Sequence, residues 1–263
     1  MSPFEGLLAE ARPVVFAQAV PSSAEVAPVA AAEARAALRR GVHVVTATKS
    51  HLLGDWRALR EAAREGGAEL RFSGATGAAL PAGDVARKSL LGFGCRAIRA
   101  CPNGTSTYVL DLMASGATLD EALADARGRG IAEADPTADL SGTDAATKVR
   151  LLTGLAWGWD VSAAAVRPAP ITAATATAAR AAAADGHRLR AVATARADRP
   201  GEITVDLTPT APGDPLHAIT GPDKAVVFDC GDAGEITVSG GRSSPRGAAL
   251  ALLKDTLAVA ITR

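Results

Sequence analysis

The stretch from residue 12 to 74 constrains the fold most. "RPVVFAQAV", "VHVVTA" and "LRFSGA" are short apolar runs, separated by "AEVAPVAAAEARAALRRG" and "DWRALREAAREGGAE", which carry helical periodicity and close on glycine. Strands this continuously apolar, each followed by a helix, predict parallel pairing through right-handed crossovers in a sheet covered on both faces. The pattern is that of a small doubly wound α/β unit.

After Gly74 the pattern changes. "GATGAALPAGD" reads as a loop, "DVARKSLLG" as a short helix and "CRAIRACPNG" as a strand entering a turn at Asn103-Gly104. Helices are predicted for "TSTYVLDLMASG", for "TLDEALADARGRG" with a Thr118/Glu121 capping box, for "TDAATKVRLLTGLAWGW" and for "ITAATATAARAAAADG". "LRAVATARA", "EITVDLTPT", "AVVFDC" and "EITVSGG" alternate as strands of a mixed, mostly antiparallel sheet. A last helix, 246–263, is expected to pack back on the amino-terminal part. The domain reading is therefore 1–73 with 246–263, and 74–245.

Composition narrows the partners. Lys plus Arg number 28 and Asp plus Glu 28, so there is no basic footprint for nucleic acid and no polybasic segment for a lipid surface. The three cysteines follow no metal or disulfide spacing, no leader pattern opens the chain, and no apolar run approaches bilayer length. A cytoplasmic protein with a small-molecule ligand is expected. The four histidines show no ligand spacing and no metal is expected. The cysteines have no base nearby in sequence to make a nucleophile of any of them.

The charge is unevenly placed. "EADPTADLSGTDAATK" (133–148) holds five charged side chains in sixteen positions, Glu133, Asp135, Asp139, Asp144 and Lys148. Asp144 and Lys148 are one helical turn apart, and spacing alone reads as a surface ion pair worth roughly a few tenths of a kcal/mol. Lys49 ends the strand "VHVVTATK", where ligands of open α/β sheets collect. If the acidic segment folds over that edge, ammonium groups and carboxylates meet in one cleft suited to a zwitterion and to proton transfer.

"GVHVVTATKSHLL", "RFSGATGAALP", "NGTSTYVL", "LDEALADARGRGIAEADPTADLSGTDAATK" and "GLAWG" stand in the order and spacing of homoserine dehydrogenases, which reduce aspartate semialdehyde to homoserine with a nicotinamide cofactor. The chain resembles that family continuously from Gly41 to Gly158, and more weakly over "DPLHAITGPDKAVVFDC" and "ITVSGGRSSP". The resemblance implies a truncated Rossmann-like sheet followed by a catalytic and dimerisation domain, and a homodimer. It implies that Lys49 and Lys148 contact the reacting oxygen or relay its proton, with Asp144 positioning Lys148. It further implies that Glu133 and Asp139 bind the substrate ammonium, that Asn103, Gly104 and Thr105 shape the adjacent turn, and that the loop from Gly77 to Pro81 lines the pocket near the nicotinamide.

The chain also departs from the family. It shows no first strand, no GxGxxG turn and no ribose-reading acid, the features that bring backbone amides to a pyrophosphate. "GFGCRA" (92–97) fits the glycine pattern but lacks the strand before it and the helix after it. Thr48, Ile131 and Ser73 replace the family's Asn, Tyr and Glu, and "GGRSSPRG" adds Arg242 and Arg246. These departures lead to the expectation of no bound cofactor, with cofactor-binding residues unassigned. The expected activity is non-redox acid–base or carbonyl chemistry on an amino acid or its semialdehyde: imine formation, cyclisation, elimination or condensation. The alternatives are an NAD(P)-dependent homoserine dehydrogenase with a reduced or partner-supplied nucleotide site, and a non-catalytic amino-acid-binding regulatory subunit.

Overall fold

The computed structural model describes residues 2–241 and 243–260; Arg242 and the last positions of the expected final helix, 261–263, lie outside the described residues. The chain divides into two compact units, one of Met1–Ala79, Asp160–Ala163 and Ser244–Arg263, the other of Leu80–Trp159 and Ala164–Ser243. No helix among the described residues is long and apolar enough to cross a membrane.

The first unit runs α1 (Pro3–Ala11), β1 (Val15–Gln18), α2 (Ala27–Arg39), β2 (His43–Thr46), α3 (Ser50–Gly54), α4 (Trp56–Gly66), β3 (Leu70–Arg71) and α5 (Ser73–Gly77). Its sheet has the order β1-β2-β3, with both pairs parallel as the apolar runs predict. In α2 the buried residues Ala30, Ala31, Ala34, Ala37 and Leu38 follow helical spacing, and the small side chains let α4 approach closely. In α4, Trp56, Leu59 and Ala62 form the buried stripe among charged neighbours. Pro3–Ala11, ahead of the first strand, is helical too, opened by a Ser2/Glu5 capping box that gave no strand or helix expectation in the sequence.

The glycine pair that closes α4 has two separate causes. A Cβ on Gly66 would stand 1.9 Å from the Leu38 carbonyl oxygen, so the crossing of α2 and α4 requires its absence. Gly67 sits at φ 63, the left-handed cap that stops the helix.

The third strand is shorter than its apolar run. The chain turns into α5 at Ser73, whose amide and hydroxyl donate to the buried Asp255 carboxylate at 2.9 and 2.8 Å. Asp255 comes from the C-terminal helix, Pro245–Ala260, which packs on β1, β2 and α5.

The second unit contains α6 (Ala82–Asp84), β4 (Ala97–Cys101), α7 (Gly104–Ala114), α8 (Leu119–Gly128), α9 (Thr137–Leu140), α10 (Thr143–Ala156), β5 (Ala165–Pro168), α11 (Thr175–Ala184), β6 (Arg188–Arg196), β7 (Glu202–Thr210), α12 (Pro215–Ala218), β8 (Ala225–Asp229) and β9 (Glu235–Ser239). The sheet order is β5-β7-β6-β4-β8-β9; every pair is antiparallel except β5 with β7, which makes the sheet mixed. Alternation sends Ile98, Ala100, Val226 and Phe228 into the core with Val109, Met113, Val149 and Leu152 of the helices. Cys101, Ala225 and Val227 point the other way and join Leu216 and Ile219. Val85–Ser89, where a short helix is expected, is a single π-helical turn.

His51 of α3 is fully buried, and neither ring nitrogen finds a partner among the described residues. Burial pushes its pKa down from 6.5 to about 4, against the pull of Asp55. An unfolded chain therefore takes up a proton that the folded chain refuses, and stability falls as pH drops from 6.5 to about 4.

Two outcomes follow for stability, both read by denaturant unfolding. Gly66→Ala is expected to cost roughly 3 kcal/mol because a helix must move, and Gly67→Ala about 1 kcal/mol for a left-handed alanine; equal losses would contradict the assignment. His51→Asn is expected to narrow the gap in unfolding midpoint between about pH 7 and about pH 5, whereas an unchanged gap would place the acid sensitivity elsewhere.

Candidate active site

The site of the second unit is built from the end of β4. Pro102 and Asn103 follow the strand, and α7 starts at Gly104, where a Cβ would lie 2.3 Å from the Pro222 carbonyl oxygen. Only glycine admits that approach. Asn103 caps the helix: its side-chain oxygen accepts from the Ser106 amide at 3.0 Å. The same side chain then uses its amide group on the acidic segment, donating to Asp139 Oδ1 at 2.6 Å and to Asp144 Oδ2 at 3.1 Å.

The acidic segment is shaped for this meeting. Asp139 lies on α9, whose last turn is tied to α7 by Ser106 Oγ donating to the Asp139 carbonyl at 2.9 Å. Gly142, at φ 78 and packed on Val205, turns the chain into α10. Asp144 and Lys148 follow one turn apart. Lys148 Nζ is 2.6 Å from Asp144 Oδ2 and donates to the Pro102 carbonyl at 3.0 Å.

The surface ion pair suggested by spacing is thus a buried one, with side chains only 13% and 10% exposed. Taking both charges out of water is costly unless further hydrogen bonds satisfy them. The Asn103 amide and the Pro102 carbonyl supply those bonds. One turn of backbone, 102–104, therefore holds both halves of the pair.

The remaining candidates are placed as follows. Thr105 is buried in the first turn of α7 and donates to the Ile131 carbonyl at 3.2 Å. Glu133 is exposed on the loop before α9. Lys49 belongs to the first unit, at the residue before α3, where its amide donates to Ser22 Oγ at 2.8 Å. Gly77 is buried at the end of α5 in that same unit. Asn103, Gly104, Asp139, Asp144 and Lys148 are the residues that the second unit brings together.

One group escaped the sequence reading. Lys224 has no exposed surface, and its Nζ donates to Ser243 Oγ at 3.2 Å. Burial pushes its pKa down from 10.5 to about 8, Lys148 adds to the shift and Asp144 opposes it. The signal that could have found it is a lysine set directly before the wholly apolar start of "AVVFD". The cysteines are poor nucleophiles: burial pushes the Cys95 thiol up to about 11 and the Cys101 thiol to about 12.

Comparison with known proteins gives one family. Over 232 residues the chain is 32% identical to the homoserine dehydrogenase of Corynebacterium glutamicum, covering 86% of this chain and 52% of that protein. It is 30% identical over 225 residues to the NAD(+)-dependent homoserine dehydrogenase of Pseudomonas canavaninivorans, covering 85% of this chain and 64% of that one. A hyperthermophilic archaeal homoserine dehydrogenase solved in complex with NADPH shares the fold with TM-score 0.81 at 26% identity, over 100% of this chain and 76% of that chain. The chain thus spans 52% and 64% of the length of those two curated relatives.

These findings correct the expectation of an enzyme with no cofactor and non-redox chemistry. One relative is NAD(+)-dependent, and the archaeal protein, matched along this whole chain, is a complex with NADPH. The physical reason is that a glycine-rich turn supplies only the pyrophosphate contacts of a dinucleotide. Its absence from a stretch of sequence is no measure of what the rest of a fold holds. The family description that matches here is homoserine dehydrogenase over residues 81–257, and a match of that extent, taking in the whole lysine–carboxylate network, makes the chain a member of the homoserine dehydrogenase family.

Proposed function

We propose that this chain acts as an NAD(P)-dependent homoserine dehydrogenase, interconverting homoserine and aspartate semialdehyde. The observation that carries the reading is the buried Lys148 ammonium, fixed between Asp144 and the Pro102 carbonyl. An ammonium held in a water-poor site stabilises charge growing on an oxygen far better than one in bulk water. In the reducing direction Lys148 donates a hydrogen bond to the aldehyde oxygen and passes it a proton as the alkoxide forms. In the oxidising direction the neutral amine takes that proton back from the hydroxyl. Asp144 keeps Lys148 in place, and the Asp139 carboxylate, oriented by Asn103, pairs with the substrate ammonium.

A bound nicotinamide supplies or accepts the hydride. The first unit fits such a group: its parallel strands β1 and β2 end in Gln18 and Thr46, and beyond them lie Thr48, Lys49 and the close-packed Gly74. Buried there, Ser50 Oγ and both nitrogens of His51 have no partner among the described residues. The roles that the resemblance implies for Lys49 at the reacting oxygen, for Gly77 near the nicotinamide and for Glu133 at the substrate ammonium belong to the same proposal. So do a homodimer and a cytoplasmic setting.

The test is direct. The purified chain, given homoserine with NAD or NADP, is expected to form reduced nucleotide, and Lys148→Met is expected to lower kcat roughly 100-fold or more, the scale of a lost general acid–base group. Turnover unaffected by Lys148→Met, or no nucleotide reduction by a folded wild-type chain, would overturn the reading.

A further inference from the structure

Lys224 is a fully buried cation of the second unit that the proposed chemistry leaves unused. Strand pairing shows where it stands. Ala225 pairs with Cys101 on one side and Ser239 on the other, and the Gly240 amide donates to the Lys224 carbonyl at 2.9 Å. The β4–β8 ladder ends at the Cys101–Ala225 pair, and beyond it Gly104 lies against the Pro222 carbonyl, so the backbone at Lys224 runs beside that at Pro102. Side chains alternate along a strand, and Val226 and Phe228 point into the core beneath the helices, so Lys224 points to that same face. On that face α10 packs against β4, carrying Lys148 to the Pro102 carbonyl. Lys148 thus reaches the Pro102 carbonyl from the helix, and Lys224, on the strand beside it, places its Nζ on Ser243 Oγ at 3.2 Å.

The charges explain why a lysine is useful there. Lys148 and Asp144 of α10 act on Lys224 through their charges, Asp139 of α9 joins them through Asn103, and Asp223 precedes Lys224 in the chain. With Lys148 as its one cation, the cluster would carry a net negative charge from Asp139 and Asp144. A second positive charge offsets it.

Resting on the dehydrogenase reading, we propose that Lys224 is a positioning residue for proton transfer: its ammonium, fully buried on the strand beside Pro102 and held by Ser243 Oγ, offsets the Asp139–Asp144 charge and eases the exchange of a proton between Lys148 and the reacting oxygen. The proton moves only between Lys148 Nζ and the substrate oxygen; Lys224 acts through its field. A buried ammonium whose pKa is lowered to about 8 gives up that charge in the alkaline range, so the help it lends fades there.

Two measurements on the full chain decide this. In the first, ε-13C-lysine resonances are followed against pH; the Lys224 signal, identified by its loss in Lys224→Arg, is expected to titrate about one pH unit higher in Lys148→Met, where the neighbouring cation is gone. An unmoved Lys224 titration would overturn the proposal. In the second, the pH profile of homoserine oxidation is measured. Lys224→Met is expected to move the rising limb about one unit upward, because the Asp139–Asp144 charge is no longer offset, and Lys224→Arg is expected to leave it in place. The same profile in wild type and Lys224→Met would overturn it. A purely structural lysine would alter stability and leave the pH profile of oxidation still. If the wild-type chain oxidises no homoserine, the dehydrogenase reading fails, and the resonance shift still decides whether the two ammonium groups share one field, without which the proposal falls on its own. If Lys224→Met does not fold, the Lys148→Met arm still decides.

Discussion

The site depends on one amide. Asn103 ends β4, caps α7 with its side-chain oxygen and spends its nitrogen on Asp139 and Asp144. Two carboxylates drawn to one neutral donor would otherwise repel each other in a space with little water. With the amide between them they are held apart and in register, and the distance from Asp144 to Lys148 is set in turn. Three helices, α7, α9 and α10, are joined at this point, so the geometry of the lysine is a consequence of the turn at 102–104. Gly104 is part of the same device, since the Pro222 carbonyl presses where a side chain would stand.

Much of the architecture is legible in the residues. Continuous apolar runs between amphipathic helices read correctly as a parallel sheet, and alternation after residue 186 reads as an antiparallel one, because both patterns are imposed locally by burial. What escaped has non-local causes. β3 stops after two residues because Ser73 is claimed by Asp255, 182 positions along the chain. β5 is four residues, "AVRP", with a proline and little burial, and pairs only at the sheet edge with β7. Its pairing is decided by its partner and not by its own pattern.

The same division holds at the site. Asp144 and Lys148 are found from their spacing, yet spacing gives a solvated pair, and only the fold shows the burial that makes the ammonium useful. Asn103 reads as a turn residue, and its hold on two carboxylates depends on α9 and α10 folding back over β4. Lys224 gave no sign in sequence beyond its position before an apolar strand, since its neighbours Pro102 and Lys148 are distant in the chain. The cofactor expectation erred for a related reason: it weighed the missing glycine turn, while the family match rests on the catalytic segment and the fold around it.

The central claim is that this lysine–carboxylate site serves a hydride transfer. Homoserine carrying deuterium on its hydroxyl-bearing carbon, incubated with the chain and NAD or NADP, tests it in one step by mass spectrometry of the nucleotide. The account predicts deuterium in the reduced nicotinamide. Product formation with an unlabelled nucleotide, the deuterium kept on carbon or lost to water, would contradict it.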